Sequence, residues 1–276
     1  MNPALVKILR LSNSDDFVAS VPEQERSPAV AERVFSEATG VPATTITKNI
    51  WATPALPEVV AGWLERYEPD LVFFKLNGFW VTYESVPVKL IRRLKFIGKP
   101  LGRASLAATP MMADYRGFQF IQRAALKTIG GESHFTPEEV VLRVSECIRR
   151  VLAKESVVLS VCGPLWQLAV YTSGARTRAA AGFAQVDGEI RQLCDRLGVG
   201  YLPLVEVPGA VAQLEDYLPD RIHLKPHMYR IIGEAEGRAM ADAWLAASQP
   251  PSGDRRLTRA EGPSDAAAKS DRPPRR

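Results

Sequence analysis

Pro69-Asp70-Leu71-Val72-Phe73-Phe74-Lys75-Leu76-Asn77-Gly78 is the stretch from which the fold reads outward. Its apolar run is short, as a strand covered on both faces is, and Asn-Gly is strand-ending turn chemistry. Just upstream, Leu56, Val59, Val60, Trp63, Leu64 and Tyr67 fall on one face of a helix over 56–67. Before it lies a β-rich segment, Thr44 to Trp51. Ser27-Pro28 opens an earlier helix, with serine as the cap and proline in the first turn, and Gly40 ends it. The first strand is Val6 to Leu11, followed by the polar turn Ser12-Asn13-Ser14-Asp15.

Downstream, Thr136 opens a helix with Pro137 in its first turn and Glu139 completing a capping box. A strand over 156–162, a largely helical run over 172–197, a strand over 201–207 and a last helix from Pro226 to about Ala246 complete the series. Strands alternating with helices predict an α/β fold, a mainly parallel central sheet between two helical layers. In such sheets ligands bind outside the carboxyl ends of the strands. Ser14, Asn77 and the Asp220–His223 loop all follow strands, directly or by a loop.

Composition sets bounds on this reading. The chain has 276 residues, 46% hydrophobic and 24% charged, enough for one sizeable core or two small ones; the series of elements is read as one domain over 1–247 with a helical insertion around 79–135. From Ser248 onward Pro, Ser, Gly, Ala and charges dominate, so 248–276 reads as a disordered, polar, basic tail. The net charge of +4 is misleading: residues 250–276 hold seven basic side chains against four acidic ones. The remainder has no bias toward nucleic acid. No apolar run approaches the roughly 20 residues needed to span a bilayer. The start lacks the apolar core of a secretory signal. Cys147, Cys162 and Cys194 have no ligand spacing, and with His134, His223 and His227 they form no convincing zinc pattern. A cytoplasmic protein without metal or cofactor is expected.

The chemistry rests on three short signals. Asp220-Arg221-Ile222-His223 sets an acid and an imidazole on a loop before the last helix, where the acid fixes the tautomer of the base. Alone this is a polar turn, Ser14 alone a turn cap, and Asn77 alone a strand-end residue. In their order and context they resemble the SGNH, or GDSL-type, hydrolases, which are esterases and lipases on a flavodoxin-like three-layer α/β/α fold. The resemblance spans roughly residues 5–246. It implies that Ser14 of Ser12-Asn13-Ser14 is the nucleophile, His223 the general base and Asp220 its orienting acid. Asn77 of Lys75-Leu76-Asn77-Gly78 then supplies its side chain to the oxyanion hole. The family's glycine N–H in that hole falls to Trp51 or Ala52, within Thr47–Pro54, with Trp51 preferred because Thr53 then stands where the family often has threonine. Ser12 and Asn13 replace the glycine and aspartate of the family's turn, Asn13 being tolerant of left-handed backbone. Lys75 and Gly78 replace the glycine and aspartate that flank the family's asparagine.

The expected activity is therefore that of a serine esterase on a small-molecule carboxylic ester, through an acyl-enzyme. The rival expectation is a catalytically silent relative that binds a ligand or partner in the former site. Within the insertion, Val86 to Lys99 interleaves apolar and basic residues. It reads as an amphipathic helix with a solvated basic face, or as a lid or surface meeting anionic lipid or substrate. Met111, Met112, Tyr115 and Phe118 to Phe120 suit either an acyl pocket or core.

Overall fold

The computed structural model describes residues 5–82, 84–85, 132–165, 173–218 and 223–249. In chain order the elements begin β1 (Val6–Ser12), α1 (Ser27–Thr39), β2 (Ala43–Asn49), α2 (Leu56–Tyr67), β3 (Leu71–Lys75) and the single turn α3 (Phe79–Thr82). There follow β4 (Glu84–Ser85), β5 (Glu132–Ser133), α4 (Pro137–Leu152), β6 (Val158–Cys162), α5 (Ser173–Leu197), β7 (Gly200–Leu202) and α6 (Pro226–Ser248).

Five strands form one parallel sheet in the order β2-β1-β3-β6-β7. The chain winds from β1 outward to β2, then crosses back to build β3, β6 and β7 on the other side. The direction of winding thus reverses between β1 and β3, and a crevice opens there at the carboxyl ends. Side chains alternate along each strand, so the two sheet faces carry separate cores. Leu9, Leu11, Val72 and Phe74 pack with α2, α4 and α5, whereas Val6, Ile8, Leu71 and Phe73 pack with α1 and α6. The result is the expected α/β/α sandwich.

Two glycines set the spacing of α1 and α6. A Cβ on Gly233 would lie 2.8 Å from the carbonyl oxygen of Ser27, and one on Gly237 would lie 2.7 Å from that of Ala31. α6 therefore rests directly on the backbone of α1. This contact also explains why Ser27 does not cap α1. Arg26 occupies the cap position, and Ser27 is buried in the first turn beneath α6.

Other signals were realised as read. Gly40 closes α1 in left-handed backbone, φ 69°. Thr136 accepts from the Glu139 N–H at 3.2 Å, while the Glu139 carboxylate accepts from the Thr136 N–H at 2.9 Å. The strand expected over 201–207 stops at Leu202. Pro203 has no N–H for the ladder, and Leu204–Glu206 turns into a 3₁₀ helix.

β4 and β5 pair antiparallel, Glu84 with Ser133 and Ser85 with Glu132. The chain between them thus leaves and returns at one point beside α3. Residues 86–131, with Val86–Lys99 and the Met111–Phe120 aromatics, lie outside the described residues, as do 250–276.

Candidate active site

β1, β2 and β3 end side by side, and three of the expected site residues follow their carboxyl ends. Ser12 pairs with Asn49, and Leu11 with Phe74. The ladders run on past the strand ends: Ile50 N–H donates to the Ser12 carbonyl at 2.8 Å, and Leu76 N–H to that of Cys162 at 2.9 Å. Ser14, Trp51 and Asn77 each lie two residues beyond the end of their strand. The ends of β1 and β3 flank the crevice where the winding reverses.

The turn after β1 is built by its own polar side chains. Asn13 is extended, φ −122°, and its Oδ1 accepts the Asp15 N–H at 3.0 Å. The left-handed freedom of asparagine is thus not used; Asn13 acts as a cap. Ser14–Phe17 then forms a 3₁₀ turn. Ser12 is buried: its Oγ accepts the Asn13 N–H at 2.6 Å and donates to the Asp16 carboxylate. Ser14 is exposed at the head of the turn. Its N–H, like that of Trp51, donates to no described residue.

Asn77 is half-buried, and its Oδ1 accepts the Phe79 N–H at 2.9 Å. That bond orients the amide and leaves its NH₂ half as the available donor. Gly78 follows because no side chain fits there: a Cβ would lie 2.5 Å from the Leu165 carbonyl oxygen and 3.3 Å from the Phe183 ring. The aspartate of the family pattern is thus excluded sterically. Trp51 is 41% exposed and makes edge-on contact with Phe79 and His134, centroids 6.4 and 5.4 Å apart. Phe79 and His134 stack at 5.8 Å. Trp51, Phe79 and His134 thus form an aromatic wall just past the ends of β2 and β3. Arg143 of α4 steadies the wall from behind, donating to the Ala52 carbonyl.

His223 is half-buried at the end of a narrow hairpin. Tyr217 bridges Leu224, and Leu218 N–H donates to the His223 carbonyl at 2.8 Å. The hairpin base is tied by His227 Nε2 and Asp216 Oδ1 at 3.0 Å, and by Leu224 N–H donating to the Tyr229 hydroxyl at 3.2 Å. The His223 charge is one of the influences that lower the Asp15 pKa against its burial. Asp220 lies outside the described residues.

Beneath the turn is a charged network that the sequence reading did not isolate. Arg10, Ser12, Phe73 and Lys75 project to the α6 face of the sheet. Arg10 Nε and Nη2 hold Asp16 at 2.5 and 3.2 Å, and Nη2 reaches Glu236 of α6 at 2.7 Å. Lys75 Nζ meets the other Glu236 oxygen at 2.8 Å, and the Arg10 guanidinium lies 4.9 Å from the Phe73 ring centre. Burial alone raises Asp16, but Arg10 outweighs it and holds the carboxyl below its usual range. Burial likewise opposes the charge on Lys75, and Glu236 with Asp16 raises it instead. Asp15 goes the other way, raised by burial and only partly relieved by Lys75 and His223. The signal was present in the sequence. A charge inside a fully covered parallel strand needs a partner, and β1 and β3 each carry one.

No family model matches the sequence, and no curated protein matches it. Solved structures do. The psychrotrophic esterase EstA from Pseudoalteromonas sp. is 10% identical, with 87% of this chain and 98% of that one covered at a TM-score of 0.51. A family 3 carbohydrate esterase from Clostridium thermocellum is 15% identical, with 89% and 100% covered at 0.52. A protein described as a GDSL-like lipase from Parabacteroides merdae is 11% identical, with 85% and 95% covered at 0.51. At these identities the likeness is one of fold. Sheet order, layers and neighbours agree: this chain has an SGNH/GDSL hydrolase-like fold.

Proposed function

We propose that the chain is a serine esterase acting on a small-molecule carboxylic ester through an acyl-enzyme. The observation that carries this reading is the exposed Ser14 hydroxyl just past the carboxyl end of β1, where the winding reverses, with Trp51 and Asn77 just past the ends of the flanking strands. Ser14 Oγ attacks the ester carbonyl while His223 takes its proton. The oxyanion forms between the Ser14 N–H, the Trp51 N–H and the Asn77 NH₂. His223 then protonates the departing alcohol, and water, activated by the same imidazole, releases the acid. Asp220 orients His223 from its own loop. Ser12 is unsuited to the role, being buried and engaged with Asp16.

A fluorophosphonate probe tests this directly. The expected result is stoichiometric labelling of Ser14, with labelling and p-nitrophenyl ester hydrolysis both lost by at least about a thousandfold in Ser14→Ala. A well-folded protein that the probe leaves unlabelled overturns the esterase reading and favours a silent binding protein. A series of p-nitrophenyl esters of rising acyl length then reads out the substrate preference.

A further inference from the structure

Four charged side chains lie sealed beneath the crevice: Arg10, Asp16, Lys75 and Glu236, none more than 3% exposed. They balance, two of each sign, and every one of them is in an ion pair. Stability alone is a weak reason for such a cluster, because apolar side chains of similar volume often hold a core as well or better. What the ions add is a fixed geometry, set by charge-assisted hydrogen bonds that leave little room for displacement.

That geometry joins the segments that bear the site. Asp16 belongs to the same 3₁₀ turn as Ser14, and Arg10 of β1 holds it at 2.5 and 3.2 Å. Ser12 closes the turn from inside, its Oγ accepting the Asn13 N–H at 2.6 Å and donating to Asp16. Lys75 is the last residue of β3, two before Asn77. Glu236 reaches both strands at once. Its Oε2 accepts from Arg10 Nη2 at 2.7 Å, and its Oε1 meets Lys75 Nζ at 2.8 Å. β1 and β3 are paired neighbours, and the crevice opens between their ends. One carboxylate of α6 thus bridges the two strands that flank the crevice.

We propose that Glu236 is a positioning residue for ester cleavage: its two oxygens clamp the Ser14 turn, through Arg10 and Asp16, to the strand end that carries Asn77. The clamp fixes the span between the nucleophile and its oxyanion donor. This rests on the esterase reading above and adds to it a residue that acts only through others. Lys75, which stands where the GDSL-type pattern has glycine, is the arm of the clamp on the Asn77 side.

Two variants test it. Glu236→Gln combined with Lys75→Met removes one charge of each sign and leaves the Arg10–Asp16 pair in place. Glu236→Asp keeps the charge and draws it back by one methylene. In protein shown to be folded by a cooperative urea transition, kcat on a p-nitrophenyl ester is expected to fall about tenfold in the first and less in the second, with KM little changed. The comparison that separates positioning from general loosening adds Asn77→Ala. With that donor gone there is nothing left to align, so the same clamp variants should then cost less than about twofold. A folded clamp variant with wild-type kcat overturns the proposal. So does a loss that persists in full beside Asn77→Ala, which marks a purely structural residue. A wild-type protein that resists the fluorophosphonate probe instead removes the esterase reading, and the proposal with it.

Discussion

Ser12 and Ser14 are chemically alike and sit on either side of Asn13, yet they have opposite surroundings. The alternation of β1 turns Ser12 inward, where Asp16 accepts its hydroxyl proton, and the 3₁₀ turn leaves Ser14 in solvent. Asn77 shows a comparable division within one side chain, with Oδ1 bound to the Phe79 N–H and the NH₂ left to donate. Asn77→Ala is expected to lower kcat about a hundredfold with little change in KM, since the lost bond forms mainly with the oxyanion. Steady-state kinetics on a p-nitrophenyl ester provides the check. A comparable rise in KM with kcat preserved marks Asn77 as a ground-state binding group. These residues were legible as candidates because Ser, Asn and His followed strands in order. The Arg10–Glu236 and Lys75–Glu236 pairs were not, since nothing local to β1 or β3 names α6 as the partner.

Elements were legible where a local device controls them. The Thr136–Glu139 capping box and the left-handed Gly40 act within a few residues, and both are realised. Packing of α6 on α1 depends instead on two glycines meeting a distant backbone. Gly237→Ala places a Cβ 2.7 Å from the Ala31 carbonyl oxygen and equally close to the Val34 Cβ. It is expected to destabilise the fold by about 1–3 kcal/mol, read as a lower midpoint in urea unfolding. Glu236 precedes this contact on α6, so the displacement also loosens the ion pairs beneath Ser14. Catalytic loss in this variant should therefore exceed what its unfolded fraction explains.

For the whole molecule, the charged interior links stability to pH. Asp16 has its folded pKa below the ordinary 3.8 because Arg10 outweighs burial. Its contribution is present above that ordinary value and is lost as pH falls through the lower folded one. Asp15, raised by burial, has the opposite sign, and its contribution declines as pH rises through its folded value. Asp16→Asn is expected to be about 3 kcal/mol less stable at neutral pH and to lose less on further acidification below about pH 4 than wild type does. Urea unfolding across that pH range tests both signs. An acid slope as steep in Asp16→Asn as in wild type excludes Asp16 as its source. Among the described residues no helix is long and apolar enough to cross a membrane.

The sequence by itself determined the order of elements and the parallel α/β class, because apolar periodicity, caps and breakers act over a few residues. Strand register, sheet order and charge pairing were decided only in the tertiary structure. Trp51, Ser14 and Asn77 follow the ends of neighbouring strands because β2 and β3 flank β1 in the sheet. Arg10 meets Glu236, 226 residues away, because two glycines let α6 lie against α1, over the same face of the sheet. Both depend on which elements become neighbours, and a buried charge is stable only where that neighbour supplies its partner.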